Sequence, residues 1–592
     1  MHNRRNNEKD KNFKEDILKL FNYIKRYLHL IIPSLVLALI SAIISIIGPD
    51  KLKDMTDTIT KGIMTGIDLD KVKSIGVFLV TIYIVGAIFG YIQGFIMSTV
   101  TNRCSKNLRT EIGEKINKLP LRYFDKTSFG DVLSRVTNDV DTIAMTLNQS
   151  LTSLVSNITL FLGSLFMMFK TNYIMAFTAI AASFIGFAFM GVILSKSQKY
   201  FNKQQEELGN LNGHIEEIYS GHSIVKLYNA MDEASNEFNN INKRLYQSNR
   251  KSQFLSGLMP PLMGFIGNFG YVAVCVVGAS LVINNTITFG VIVAFMIYIR
   301  LFTNPLSQIA QGLTSLQSAA AASGRVFEFL EEEEMKKEQE KEKLEKGKVK
   351  GNIEFKNVSF GYDKDKPIIK NFSAKAKNGS KIALVGPTGA GKTTMVNLLM
   401  KFYDIEKGDI IIDNASIKDL TRENVHDLFT MVLQDTWVFT GTIKENIKYN
   451  NEKVTDKDVE KACKTVGLDH FIKTLPKGYD TVLNEVESLS SGQKQLLTIA
   501  RAILSDKPFL ILDEATSSVD TRTEELVQNA MDKLTKGKTS FIIAHRLSTI
   551  KNADLILVMK EGNIVEQGNH ESLLKKKGFY AELYNSQFET VE

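Results

Sequence analysis

Six apolar stretches dominate the first half of this chain, near residues 28–48, 75–100, 151–169, 173–195, 257–283 and 289–312. Each is long enough to cross a hydrocarbon layer of about 30 Å, which takes roughly 20 helical residues. This constrains the fold more than any other feature, because a chain in lipid must satisfy its own backbone polar groups and so crosses as helices. Six crossings return the chain to the side on which it began. The basic cluster ahead of the first stretch (Arg4, Arg5, Lys9, Lys11, Lys14, Lys19, Lys25 and Arg26) places that side in the cytoplasm. The run that follows has the length of a spanning helix rather than of a signal peptide. The competing reading of the cluster is a nucleic-acid patch. The spans behind it argue against that, and no nucleic-acid partner is expected.

The loops carry the same bias. Basic residues follow the second stretch (Arg103, Lys106, Arg109) and the fourth (Lys196, Lys199, Lys243), whereas "KTNY" and "NNTIT" are short turns for the opposite side. Residues 49–73 read as a first outer loop. The two cytoplasmic connections, about fifty residues each, read as helices that overrun the membrane, since loops of that length rarely lack structure. Their tips, Asp125–Arg135 and Leu227–Phe238, would then be exposed. The charge-dense stretch after residue 328 reads as a solvated linker. Cys104, Cys275 and Cys463 have neither metal-ligand nor CxxC spacing and read as structural. Arg300 is the main charge inside a span; such a charge points to function, although it could equally pair or snorkel.

From Gly351 the texture changes to alternating strand and helix. The strand-like "KIALVG" runs into "GPTGAGKTT", Gly386, Pro387, Thr388, Gly389, Ala390, Gly391, Lys392, Thr393 and Thr394, and then into an apolar helix. Strand, GxxxxGK[ST], helix is a phosphate-binding loop in its required context. Its glycines let backbone N–H groups wrap phosphates, Lys392 places a positive charge on them, and the Thr393 hydroxyl suits Mg²⁺. Further on, "FLILDEATSSVD" reads as a buried strand ending in Asp513, a carboxylate for the Mg²⁺ shell. Glu514, next in the chain, is positioned to polarise a water for attack on a γ-phosphate.

Between these motifs lies "SLSSGQKQLL", where Ser490 and Gln493 form a capping box that opens a helix. Together these residues resemble the nucleotide-binding domain of an ATP-binding cassette transporter, and the six preceding spans make the chain similar to an exporter half-transporter of the multidrug and lipid-flippase kind. The resemblance implies that Leu489–Gln493 is the signature motif, with Ser490, Ser491, Gly492 and Gln493 closing over ATP held by another subunit. It implies adenine stacking by Tyr362, Mg²⁺ and water contact by Gln434, a switch role for His545 and a cross-dimer role for Asp520. The two cytoplasmic tips match coupling helices, the second expected to dock on the opposite subunit's ATPase domain. "NEVESLSSGQ" departs from the family in lacking an upstream glycine. Trp437, the single tryptophan, is expected to pack.

The expected fold is a multidomain membrane protein, an all-α six-helix transmembrane domain followed by an α/β P-loop ATPase domain. The expected divisions are a cytoplasmic N-terminal segment over 1–27, the transmembrane domain over 28–320, a charged linker over 321–350 and the cassette over 351–592. The expected activity is ATP-driven export of a hydrophobic drug, lipid or peptide by alternating access, with ATP and Mg²⁺. It would use a dimer with an identical or related chain in a cell membrane with both termini cytoplasmic, and the Lys-, Asn- and Ile-rich composition suggests a bacterium. A membrane-anchored regulatory or sensor ATPase that moves nothing is the alternative.

Overall fold

The computed structural model describes residues 2–63, 66–339, 341–363, 366–434, 436–449, 451–483, 489–513, 521–544 and 547–588. The chain divides into two compact units. One comprises Met1–Asn117 with Phe129–Glu332, the other Lys118–Ser128 with Glu333–Glu592.

The first unit is helical. Its long helices are Leu28–Gly62, Leu69–Lys118, Val140–Thr171, Tyr173–Ser220, Met231–Gly257, Met259–Ile283 and Phe289–Glu331. Six segments among the described residues are long and apolar enough to span a membrane. The first helix shows how the sequence sorts its faces. Small residues Ser34, Ala38 and Ala42 are buried and allow close helix approach, while Ile32, Val36, Leu39, Ile43 and Ile47 form an exposed apolar stripe. The sixth spanning helix is central: 56% of its apolar window is buried, against 11–28% in the other five.

Three expectations need correction here. Residues 49–62 are not loop, because the first helix continues to Gly62. Lys51–Asp54 and Lys53–Asp50 pairs support it, and Asp57 accepts hydrogen bonds from the Thr288 hydroxyl (2.7 Å) and the Gly290 N–H (2.8 Å). The tips sit earlier than expected. Short helices at Leu121–Phe124 and His222–Leu227 occupy them, and by Met231 the returning helix has begun. Gly221 and Asn229, the latter left-handed at φ 55°, set the second break. The sixth spanning helix also runs on to Glu331, into the stretch read as linker, because Ala319, Ala322, Val326 and Phe329 keep a helical spacing and are buried. Tyr23 of the N-terminal helix packs on Phe327 at 5.5 Å, and the Ser323 hydroxyl donates to the Asp16 carbonyl.

The second unit is the α/β domain. Its strands in chain order are β1 (Ile353–Phe360), β2 (Ile369–Ala376), β3 (Lys381–Val385), β4 (Lys407–Ile412), β5 (Ala415–Ser416) and β6 (Phe429–Val432). There follow β7 (Gly441–Thr442), β8 (Val482–Leu483), β9 (Phe509–Asp513), β10 (Thr539–Ile543), β11 (Leu555–Lys560) and β12 (Asn563–Gly568). The main sheet has the order β12-β11-β3-β10-β9-β6, parallel except at β12; β2-β1-β4-β5 form an antiparallel sheet.

Strand alternation divides the interior. Phe509 and Ile511 of β9, with Phe541 and Ile543 of β10, enter one core together with Met395, Val396, Leu398 and Leu399. Leu510, Leu512 and Ile542 point the other way and pack with Leu496, Leu497 and Ile499. Successive side chains of a strand face opposite sides, so the helix carrying residues 395–399 and the helix carrying 496–499 cover opposite faces of one sheet.

Candidate active site

The P-loop joins β3 to the helix Lys392–Leu399. Gly391 opens that helix in the left-handed region, φ 98°, and no side chain caps it. The first-turn N–H groups therefore keep their donor capacity for an anion. A Cβ at Gly386 would lie 2.3 Å from the Met559 carbonyl oxygen, so only glycine lets the loop leave β3 at that point. Lys392 is buried, and its Nζ donates to the carbonyls of Gly386 (2.7 Å) and Pro387 (3.0 Å), which folds the loop into a cradle. Burial pushes the Lys392 ammonium below its ordinary pKa, and the carboxylate of Asp513 works against that shift. Thr393 is exposed and Thr394 buried at the start of the helix.

Asp513 ends β9, largely buried, in register with Ile543 of β10, whose neighbour on the other side is β3. The phosphate loop and the Asp513 carboxylate thus gather at the carboxyl ends of adjoining parallel strands, where open α/β sheets bind ligands. Gln434 is exposed two residues past the end of β6, which pairs with β9. Glu514, Asp520 and His545 lie outside the described residues, as does the departure at 484–488.

The second candidate phosphate contact is built differently. Ser490 caps the helix Ser491–Ser505 in a complete capping box, its hydroxyl accepting from the Gln493 N–H (3.3 Å) while Gln493 Oε1 accepts from the Ser490 N–H (2.9 Å). Ser490 and Ser491 are exposed, and Gly492 is buried beneath them.

Comparison with known proteins agrees with this geometry. Residues 30–306 match the family model for the ABC transporter transmembrane region, and residues 369–517 match the family model described as ABC transporter. A fatty acid ABC transporter ATP-binding/permease protein of Mycobacterium bovis is 43% identical over 88% of this chain and 82% of its own length. The chain belongs to the ABC transporter family. An uncharacterised ABC transporter ATP-binding protein of Bacillus subtilis, YfiC, is 38% identical over 98% of this chain and 96% of its own. An ATP-dependent lipid A-core flippase of Syntrophus aciditrophicus is 34% identical over 88% and 86%. This ABC transporter is accordingly a multi-pass membrane protein with a transport-coupled ATPase domain that binds ATP.

Within the second unit the segment Lys118–Ser128 lies against the ATPase domain of this ABC transporter beside Tyr362. The Arg122 guanidinium donates to the Tyr362 carbonyl, and the Tyr403 hydroxyl donates to Asp125 at 2.8 Å. The rings of Tyr362 and Tyr403 meet edge to face at 5.0 Å, and the Tyr362 hydroxyl lies 3.3 Å from the Asn397 amide of the P-loop helix. Burial, and then the Asp125 carboxylate, push the Tyr403 phenol above its ordinary pKa.

The stretch expected to be solvated linker is strapped to the ATPase domain. Glu338 pairs with Lys401 (3.0 Å) and Arg422 (2.9 Å) and accepts from the Arg422 N–H. Leu344 and Asn424 exchange two hydrogen bonds of 2.9 Å. Glu338 and Lys401 were not legible locally, because the partner Arg422 stands 84 residues from Glu338. Trp437, expected to pack, is 61% exposed and touches Phe439 at 5.9 Å. Cys104 and Cys463 are buried thiols.

Proposed function

We propose that this ABC transporter is an ATP-driven exporter of lipid-like amphiphiles that works as a dimer, with two ATP sites each shared between two chains. The observation that carries the dimer is the division of the cassette interior. The P-loop helix and the Ser490 helix cover opposite faces of the same sheet, and helices on opposite faces are separated by about 20 Å, with each layer adding roughly 10 Å. A single chain therefore presents a phosphate cradle on one side and an exposed capped serine tip on the other. A second copy or a related chain supplies the missing half of each site.

In this reading the cradle of Gly386 to Thr394 and the buried Lys392 hold the ATP phosphates while Tyr362 stacks on the base. Thr393, Asp513 and Gln434 are the residues that fit Mg²⁺, which would neutralise charge building on the phosphate oxygens. Glu514 takes the proton of the attacking water as oxygen bonds to the γ-phosphorus and the β–γ bridging bond breaks, leaving ADP and phosphate. His545 and the partner's signature residues, Ser490 to Gln493 in this numbering, steady the γ-phosphate, and Asp520 crosses to the opposite site. ATP would join the two cassettes and hydrolysis would release them, giving alternating access across the membrane. The helix His222–Leu227, with Ile224 and Leu227 exposed, would dock on the opposite cassette, where exposed Leu433 and Trp437 offer an apolar seat. The names of the fatty acid and lipid A-core relatives support a lipid-like cargo.

The test is flux of labelled amphiphile into inside-out vesicles. Glu514→Gln is expected to trap the ATP-bound closed state and stop flux. ATPase activity without flux of any amphiphile would favour the sensor ATPase instead, and undiminished turnover in Glu514→Gln would remove that residue from the mechanism.

A further inference from the structure

Tyr362 stands two residues past the end of β1, in the connection to β2. Its ring is held there from several sides. Phe360 meets it edge to face at 5.2 Å, and Tyr403 does the same at 5.0 Å. These contacts grip the body of the ring, and the hydroxyl end is secured separately on the P-loop helix. The Asn397 amide donates to the Tyr362 hydroxyl at 3.3 Å, and that hydroxyl faces the Thr394 hydroxyl at 3.5 Å.

Asn397 is a costly choice where it stands. It interrupts the apolar run Met395 to Met400, between the buried Val396 and Leu398, and asparagine is among the poorer helix formers because its amide competes for nearby backbone groups. Leucine would suit the helix better. The amide is turned instead to a residue 35 positions earlier in the chain. The register of the helix gives this contact its consequence. Lys392 folds the phosphate cradle at the first turn, and Asn397 follows five residues on, about 7.5 Å along the axis. One short helix thus carries the cradle and also the hold on Tyr362.

We infer that Asn397 is a positioning residue for the nucleotide. By tying the Tyr362 hydroxyl to the P-loop helix, it sets the stacking surface for the base at a fixed place relative to the phosphate cradle. The inference rests on the reading of Tyr362 as the surface on which adenine stacks, and it adds that this surface is set before the nucleotide arrives. A side chain ordered in advance improves affinity, because its freedom is not lost at binding. The effect is confined to the base end, since the phosphates meet the same donors whether Tyr362 is held or not.

The experiment is ATP hydrolysis by the full-length protein in nanodiscs, with inorganic tripolyphosphate as a competitor that brings phosphates and no base. Asn397→Leu keeps a branched side chain on the helix and removes the donor. It should raise the KM for ATP about fivefold, the scale of one neutral hydrogen bond, with kcat changed by less than about twofold and inhibition by tripolyphosphate unaltered. Tyr362→Phe removes the same bond from the other side and should raise the KM equally, and the double variant should be no worse than either single one. A wild-type KM in Asn397→Leu, or single effects that multiply in the double variant, would overturn the role of Asn397. So would tripolyphosphate weakened as much as ATP, which would locate the effect in the helix itself. Tyr362→Ala should raise the KM further, because it removes the surface and not only its hold. An unchanged KM in that variant would end the stacking reading and the role of Asn397 together, whereas a raised one beside an unaffected Asn397→Leu would leave the stacking surface standing and remove Asn397 alone.

Discussion

Two helices of the cassette point their N-termini at surfaces where an anion can bind, and they are finished in opposite ways. The P-loop helix starts from a left-handed glycine with no side-chain cap and a buried lysine tied to the loop carbonyls. The Ser490 helix closes its first turn with its own capping box. An uncapped helix start leaves donors that a phosphate can satisfy, whereas a capped one is stable exposed and can wait for a partner. The surroundings differ in the same sense. The P-loop helix runs into Lys401 and Tyr403, which are braced by Glu338 and Asp125, while the Ser490 helix is held by Arg501, whose Nε donates to the Asn446 carbonyl and whose guanidinium lies 4.9 Å from the Tyr449 ring.

The sharpest way to break this comparison is at Lys392. Lys392→Ala should lower ATP hydrolysis in nanodiscs by about 100-fold or more, the scale for a preorganised charge on a transition state; turnover near wild type would mean that the cradle works without its ammonium. Ser490→Asp keeps a good cap and adds a negative charge, so the melting temperature should hold while hydrolysis falls by at least about tenfold. Loss of stability instead of activity would make Ser490 a cap and nothing more.

The bracing can be tested with smaller effects. Burial opposes ionisation of Glu338, but the Arg422 N–H, Lys401 and the Arg422 charge outweigh it and hold its carboxyl below the usual range. A carboxylate depressed in the folded state adds stability above its unfolded pKa and loses it as pH falls through the folded value. The wild type should therefore lose an advantage over Glu338→Gln, about 1 kcal/mol at neutral pH, as the pH drops below the ordinary glutamate range. Equal melting curves at every pH would mean the strap carries no stability. Tyr403→Phe removes only the hydrogen bond to Asp125 and should cost at most about 1 kcal/mol. A change in the Michaelis constant for ATP without a change in melting temperature would show that Tyr403 positions Tyr362.

Legibility followed the range of the interactions. The spans, the P-loop and the Ser490 cap were readable because length, a short motif and an i to i+3 pair are local. The outer loop, the tips and the linker were not, because each depends on a partner far along the chain or on one backbone dihedral. Asp57 reaches Gly290, Glu338 reaches Arg422, and the left-handed Asn229 closes the second tip near the start of the stretch Leu227–Phe238 in which the sequence places it.

The apolar stripe of the first helix, Ile32 to Ile47, has one more consequence. Fifteen residues of helix measure about 22 Å, several ångströms less than a typical hydrocarbon layer, so a membrane around this face must thin by an amount that depends on acyl length. Lipid composition thereby becomes a control variable of the protein: the same chain reconstituted in short-chain and long-chain phosphatidylcholine should turn over at different rates, with no residue altered.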